Sequence, residues 1–326
     1  MTKTRLYCLL AAALSLSSAA PALAQLPAPN HPMLFGYYYA DGRYGNFTSE
    51  VFGYTNLYFA LPCGYLSLDT GCGPHQAFAD SLANAAANHR EILLSMDSPA
   101  TWDWTLEYAR PYWDRVKLVE VMSEEDLSEA VTETRVFDLK KAIATKGLAA
   151  KRVGANYTRE QSLTTQGVFA ASLDFVSFET YWLPTECAGL QGCTSAMNAA
   201  IDQAMARIPA SKQIVFATMA YDRNGGWTGD IGTLTALQDV PYLKAYNNPR
   251  VIGMAMFSYA RPGGTRDYPS PKAHHQDQGA QLMRWMSIDT PGSGGGAWGP
   301  IAGLMLPPDL ANASYRPGVH ASDRLY

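Results

Sequence analysis

Eight short β-type runs constrain the fold of this chain more than any other feature: FGYYYA, YTNLYFAL, EILLSMD, VKLVEVMSE, KRVGANYT, LDFVSFETYW, QIVFATMAYD and VIGMAMFSYA. Most close on a polar or aromatic residue, or just before one. Segments long enough for a crossover helix separate most of them, and that alternation is the sequence form of parallel βαβ units. Eight units closing on themselves predict a single α/β domain, a (β/α)8 TIM barrel, whose chemistry sits on the loops after the strands. The polar residues at those strand ends are therefore where function is to be read.

The intervening segments fit. Pro74 suits the first turn of an Ala-rich helix, HQAFADSLANAAANHR. DLSEAVTETRVFDLKKAIATKGL carries an apolar face and ends near Gly147. TSAMNAAIDQAMARIP opens on a cap-type Thr194 and stops at Pro209, while DIGTLTALQDVPYLKAYNN and HHQDQGAQLMRWMSID supply the last two helices. The first connection, Asp41 to Gly53, holds only a short helix at most, and Trp102 and Trp104, which follow the third strand, are expected on a catalytic-face loop.

A barrel needs roughly 250 residues, and the 326 present leave room for a leader and a tail. Residues 1–24 read as a signal peptide: Lys3 and Arg5, an apolar stretch from Leu6 to Leu16, then Ala22-Leu23-Ala24 before Gln25. The stretch is too short for a transmembrane span, which takes about 20 apolar residues. No Cys at the cleavage point marks a lipid anchor. The barrel is expected over residues 30–290, followed by a Gly/Pro-rich tail at 291–326. Losing Lys3 and Arg5 without any acid takes the formal charge from -4 to -6. That balance, with no Lys/Arg-rich run, excludes a nucleic-acid partner. The expectation is a secreted or periplasmic monomer without a membrane anchor.

Five cysteines are present, and Cys8 leaves with the leader. The remaining four form an even set suited to an oxidising compartment. Cys63 with Cys72, and Cys187 with Cys193, are each local to the loops after the second and sixth strands, so those pairs are the expected bridges. No His lies at ligand spacing from either, and no nucleotide-binding loop appears, so neither metal nor cofactor is expected.

In VKLVEVMSEED side chains alternate, placing Leu118, Glu120, Met122 and Glu124 on one face. Carboxylates inside a barrel strand are hard to explain structurally, because Glu is seldom fully buried without a partner. Glu124 at the upper edge is a candidate general acid, with Glu120 a layer below to tune it. The second carboxylate must come from another strand end, and Glu179 and Asp222 are the first candidates. Aromatics suit a sugar ligand, since a flat ring covers the C–H face of a pyranose. Candidate binding residues are Tyr37, Tyr39, Trp102, Trp104, Asn156, Tyr181, Trp182, Tyr221 and Tyr259.

Strand by strand over residues 34–265, the chain resembles the secreted chitinase-type glycoside hydrolases. FGYYYADGRY and YTNLYFALP resemble that family's first two strands, ILLSMDSPATW its third, LDFVSFETYW its sixth, VFATMAYDR its seventh and VIGMAMFSYA its eighth. The family's fourth-strand Asp-x-Asp-x-Glu reads Glu120-Val121-Met122-Ser123-Glu124 here. The resemblance implies that Glu124 is the proton donor, while Met122 stands where an Asp would orient the substrate's acetamido group. The chain also resembles the retaining glycosidases in which Asn-Glu ends strand four and Glu ends strand seven. Ser123-Glu124 matches the first half of that pattern, and Thr218-Met219 stands at the second. The function expected is hydrolysis of O-glycosidic bonds in a polysaccharide, with retaining or inverting outcome open. The alternative is a chitinase-like barrel that binds carbohydrate without cleaving it.

Overall fold

The computed structural model describes residues 29–38, 51, 54–62, 75–123, 128–163, 169–181, 189–219, 231–257 and 269–282. Its strands are β1 (Leu34–Tyr38), β2 (Leu57–Ala60), β3 (Glu91–Ser95), β4 (Val116–Ser123), β5 (Arg152–Tyr157), β6 (Phe175–Thr180), β7 (Gln213–Met219) and β8 (Val251–Phe257). They pair in chain order into a closed barrel. β8 returns alongside β1 in parallel, from Leu34 opposite Gly253 to Tyr38 opposite Phe257. The expected (β/α)8 barrel is the observed fold.

Strand alternation creates two cores. Residues such as Phe35, Tyr58, Leu94, Val119, Val153, Phe178 and Phe216 face outward and pack under the helices. Leu34, Leu57, Leu93, Leu118, Phe175 and Val215 fill the barrel itself. Gly154 makes this filling possible, since an added Cβ would lie 2.4 Å from the Phe175 ring.

The helices are α1 (His75–Ala87), α2 (Trp102–Ala109), α3 (Glu129–Thr145), α4 (Arg159–Leu163), α5 (Gly189–Arg207), α6 (Ile231–Ala245) and α7 (Pro269–Leu282). Ser128 caps α3 by accepting from the Val131 amide, and Gly147 takes the left-handed conformation (φ 67°) just past its end. Pro241 lies within α6, inside the span expected for that helix. Three starts or contents differ from the sequence expectation. α5 begins at Gly189, so Thr194 lies inside the helix and donates its hydroxyl to the Gln191 carbonyl. α7 begins at Pro269, a residue that suits a first helical position. The segment after β3 is helical, with Trp102, Thr105, Leu106 and Ala109 buried at helical spacing. Among the described residues no helix is long and apolar enough to cross a membrane.

Candidate active site at the C-terminal mouth of the barrel

In an eight-stranded barrel, interior side chains stack in layers of four taken from alternate strands, and level positions shift by about one residue per strand. Applying this to the observed register gives a lower interior of Leu57, Leu118 and Phe175 beneath Leu93 and Val215. The next layer up holds Phe59, Glu120, Ser177 and Ala255. Above it come Tyr38, Ser95, Asn156 and Ala217, then Leu61, Glu179 and Phe257 at the rim. The interior thus gains polar groups, Glu120, Ser177, Ser95 and Asn156, beside the aromatic Phe59 and Tyr38 as it approaches the face where barrel enzymes place their chemistry.

The parity of each strand decides who belongs to this mouth. On β4, Val119 and Val121 face the helices, which turns Leu118 and Glu120 inward. On β6, Val176 and Phe178 face out, so Ser177 and Glu179 face in. On β5, outward Val153, Ala155 and Tyr157 leave Asn156 inside. Glu120 is 0% exposed and Glu179 5%. The Ser177 hydroxyl is fully buried, with no hydrogen-bond partner among the described residues. Thr180 donates to the Ala217 carbonyl at 3.3 Å, tying β6 to β7 beside Glu179.

An aromatic arc completes the rim. The Tyr38 ring lies 3.9 Å from Phe59 and 5.9 Å from Phe257, centroid to centroid, and Phe257 lies 6.2 Å from Tyr181. Arg159 on α4 donates to the Tyr181 carbonyl at 2.8 Å and fixes that end of the arc. The mouth is therefore two-sided. Aromatic rings run from β2 through β1 and β8 to the end of β6, and polar groups line β3 to β6.

Other residues singled out from the sequence are placed elsewhere. Tyr37 faces the helices, where its hydroxyl shares a 2.6 Å hydrogen bond with Nδ1 of His275 on α7. This removes it from the mouth and puts Tyr38 there instead. Trp102 is buried on α2 and donates from its indole to the Met96 carbonyl at 2.7 Å. Trp104 stacks on His75 of α1 at 4.0 Å with an interplanar angle of 14°. The two indoles thus hold α2 against the end of β3 and against α1. Glu124, Tyr39, Trp182, Tyr221, Asp222 and Tyr259 lie outside the described residues, as do Cys63, Cys72 and Cys187. Cys193 is buried and disulfide-bonded. Sequence reading passed over Ser95, Ser177 and Tyr38. Only the alternation within each strand could have found them, since none belongs to a motif.

A third buried carboxylate marks the opposite end. Glu91, at the start of β3, lies 3.6 Å from Lys117 Nζ and 4.0 Å from Arg115 Nη1. Burial raises its carboxyl above the usual range, against the opposing pull of those two cations. Its position at the N-terminal face fits a structural plug. Among the described residues no group of three His, Cys, Asp or Glu side chains forms a metal site.

No protein-family model and no curated protein matches the chain. Solved structures of the Ruminococcus gnavus beta-glucuronidase resemble it in three dimensions. The complex with C6-substituted uronic isofagomine is 9% identical, with a TM-score of 0.50, covering 77% of this chain and 50% of that chain. The apo form is 10% identical with a TM-score of 0.49, covering 78% and 50%. This chain thus spans about half the length of those neighbours. At such identity the likeness is one of fold: the chain is a (β/α)8 barrel.

Proposed function

We propose that this chain is a secreted glycoside hydrolase that cleaves O-glycosidic bonds of a polysaccharide with carboxylates at the C-terminal mouth of its barrel. The observation that carries the reading is the polar upper interior, where inward-facing Glu120 and Glu179 share the mouth with the aromatic arc of Tyr38, Phe257 and Tyr181. Glycoside hydrolysis normally uses two carboxylates flanking the scissile bond, and aromatic faces suit the C–H face of a pyranose. Glu124, next in sequence after the last residue of β4, is the proton donor. Glu179 is the second carboxylate, with Asp222 the next candidate, and Glu120 acts on Glu124 from a layer below. Met122 occupies the place of the acetamido-orienting Asp in the chitinase-like frame, so the second role falls to a carboxylate of the protein. A leader at 1–24 and bridges Cys63–Cys72 and Cys187–Cys193 belong to the same reading.

The test is release of new reducing ends from a panel of polysaccharides. Loss of a general acid typically costs about 10²–10⁴-fold in rate, so Glu124→Gln should lose turnover by that order while still binding the glycan. Wild-type turnover in that variant would remove Glu124 from the mechanism. A carbohydrate-binding barrel without turnover is the second reading. It is favoured by Met219, the last residue of β7, where the retaining pattern carries Glu. A glycan bound but left intact by the parent protein would select it.

A further inference from the structure

Cations gather at the N-terminal face of the barrel, and over much of it they bind backbone carbonyls. Arg250, just before β8, donates to the Ile208 and Pro209 carbonyls at 3.0 Å each, beyond the end of α5. Lys212 donates to the Ala171 and Leu173 carbonyls ahead of β6, and Arg110 to the Lys146 carbonyl past the end of α3. Basic residues near helix C-termini commonly do this. The sector where β3, β4 and β5 begin is different. Ile92 pairs with Val116 and Leu93 with Leu118, so Lys117 is the extra residue of a bulge, a feature that re-aims a side chain. Lys117 stands 3.6 Å and Arg115 4.0 Å from Glu91, longer than the about 2.7–2.9 Å of a charge-assisted hydrogen bond. Glu91 Oε2 has no hydrogen-bond partner among the described residues. Lys151, immediately before β5, is half-buried with its ammonium 5.6 Å over the Trp113 ring, and it makes no hydrogen bond among the described residues. Burial, then the charge of Lys117, lowers that ammonium below its usual range, with Asp114 and Glu91 acting the other way.

We infer that Arg115, Lys117 and Lys151 form a binding site for a phosphate-type oxyanion at the N-terminal face of the barrel. Glu91 is enclosed, at 1% exposure, whereas the Lys117 and Arg115 side chains keep 12% and 29% of theirs. A ligand therefore meets the cations from solvent and needs no cavity. The acids beside them are Glu91 and Asp114, and His89 lies 3.5 Å from Arg115. Ammonium and guanidinium groups are donors without an acceptor, and an oxyanion brings only acceptors. Lysine binds phosphate as a point charge, and arginine through its planar fork. An anion between Lys117 and Lys151 replaces their mutual repulsion with two attractions. The chain as a whole carries a formal charge of -4, so the attraction is local to this sector. The inference is independent of the hydrolase reading, because none of these residues belongs to the mouth.

The experiment is calorimetric titration of inorganic phosphate into the full chain, with ionic strength held constant by chloride. Saturable binding at one site is expected. Lys117→Gln and Lys151→Gln should each weaken it at least about tenfold, as expected for loss of a hydrogen bond to a charged group. Lys151→Arg, which keeps the charge, should retain binding. Lys140→Gln, which removes an exposed cation paired with Asp174, should leave it unchanged. If Lys117→Gln does not fold by circular dichroism, Lys151→Gln against Lys151→Arg decides the matter. A second titration uses long-chain polyphosphate. Tighter binding per chain than for inorganic phosphate supports the site and assigns it to polymer-borne phosphate, and equal binding supports it as a site for the free ion. Absence of saturable binding to both probes, unchanged affinity in Lys151→Gln, or an equal loss in Lys140→Gln overturns the proposal.

Discussion

The Tyr37 hydroxyl and Nδ1 of His275 lie 2.6 Å apart, both buried, and bind the first barrel strand to the last described helix. The two rings also meet at a 56° tilt with their centroids 5.5 Å apart. Beside them His274 Nε2 pairs with Asp239 Oδ1 at 2.5 Å, linking α7 to α6. Closure of the barrel between β8 and β1 is thus backed by a polar seam outside it. Tyr37→Phe strands the His275 nitrogen and should cost about 1–3 kcal/mol of stability, read as a lower Tm. Affinity for carbohydrate should stay within twofold of the parent. A large loss of affinity with unchanged Tm would return Tyr37 to the binding site.

Acid should weaken this seam. Burial, then the neighbouring His274, holds the His275 imidazole well below its usual 6.5. In the folded state it stays neutral where the unfolded chain is already protonated. Below 6.5 the unfolded state therefore binds more protons, and stability falls with falling pH by up to about 1.4 kcal/mol per unit. Glu91 acts in the opposite sense, because its raised carboxyl contributes stability at low pH that is lost as pH rises. Tm measured from pH 7 down to pH 5 should drop more steeply for the parent than for His275→Gln. Parallel profiles would exclude His275 as the source.

Glu179 is the sharpest test of the second carboxylate. Glu179→Gln preserves shape and removes charge at a site that is 5% exposed. It should lower turnover by at least about a hundredfold, while affinity for an uncleaved oligosaccharide changes only a few-fold. Full turnover in this variant transfers the role to Asp222.

Packing beneath the mouth admits little change. A Cβ added at Gly154 would meet the Phe175 ring at 2.4 Å, and one at Gly279 would meet the Tyr54 carbonyl oxygen at 2.0 Å. Overpacking of this kind typically costs about 1–3 kcal/mol. Gly154→Ala should destabilise by that amount in urea titration and also disturb binding, since Phe175 supports the Glu120 layer. Gly279→Ala, which strikes the outer seam, should destabilise without changing affinity. Identical binding losses in both would mean that the two sites do not separate as described.

By itself the sequence determined the barrel and the strand ends at which to look. Eight β-rich runs spaced by helix-length segments have few ways to bury their apolar faces, and the parallel closed sheet is one that satisfies all of them. It also singled out Glu120, Glu179 and Asn156, because polar groups among buried strands are conspicuous in a linear pattern. Only the tertiary structure decided which side of the sheet each residue occupies. Tyr37 and Tyr38 are neighbours of one type, yet a single residue of register sends one to the helix layer and the other to the mouth. Trp102 and Trp104 read as loop aromatics in the sequence, whereas α2 buries Trp102 against the end of β3 and half-buries Trp104 against α1. Ser95 and Ser177 carry no signal in the chain, since a serine gains meaning only from the layer it completes. That layer exists only once strands far apart in sequence tilt together around a common axis.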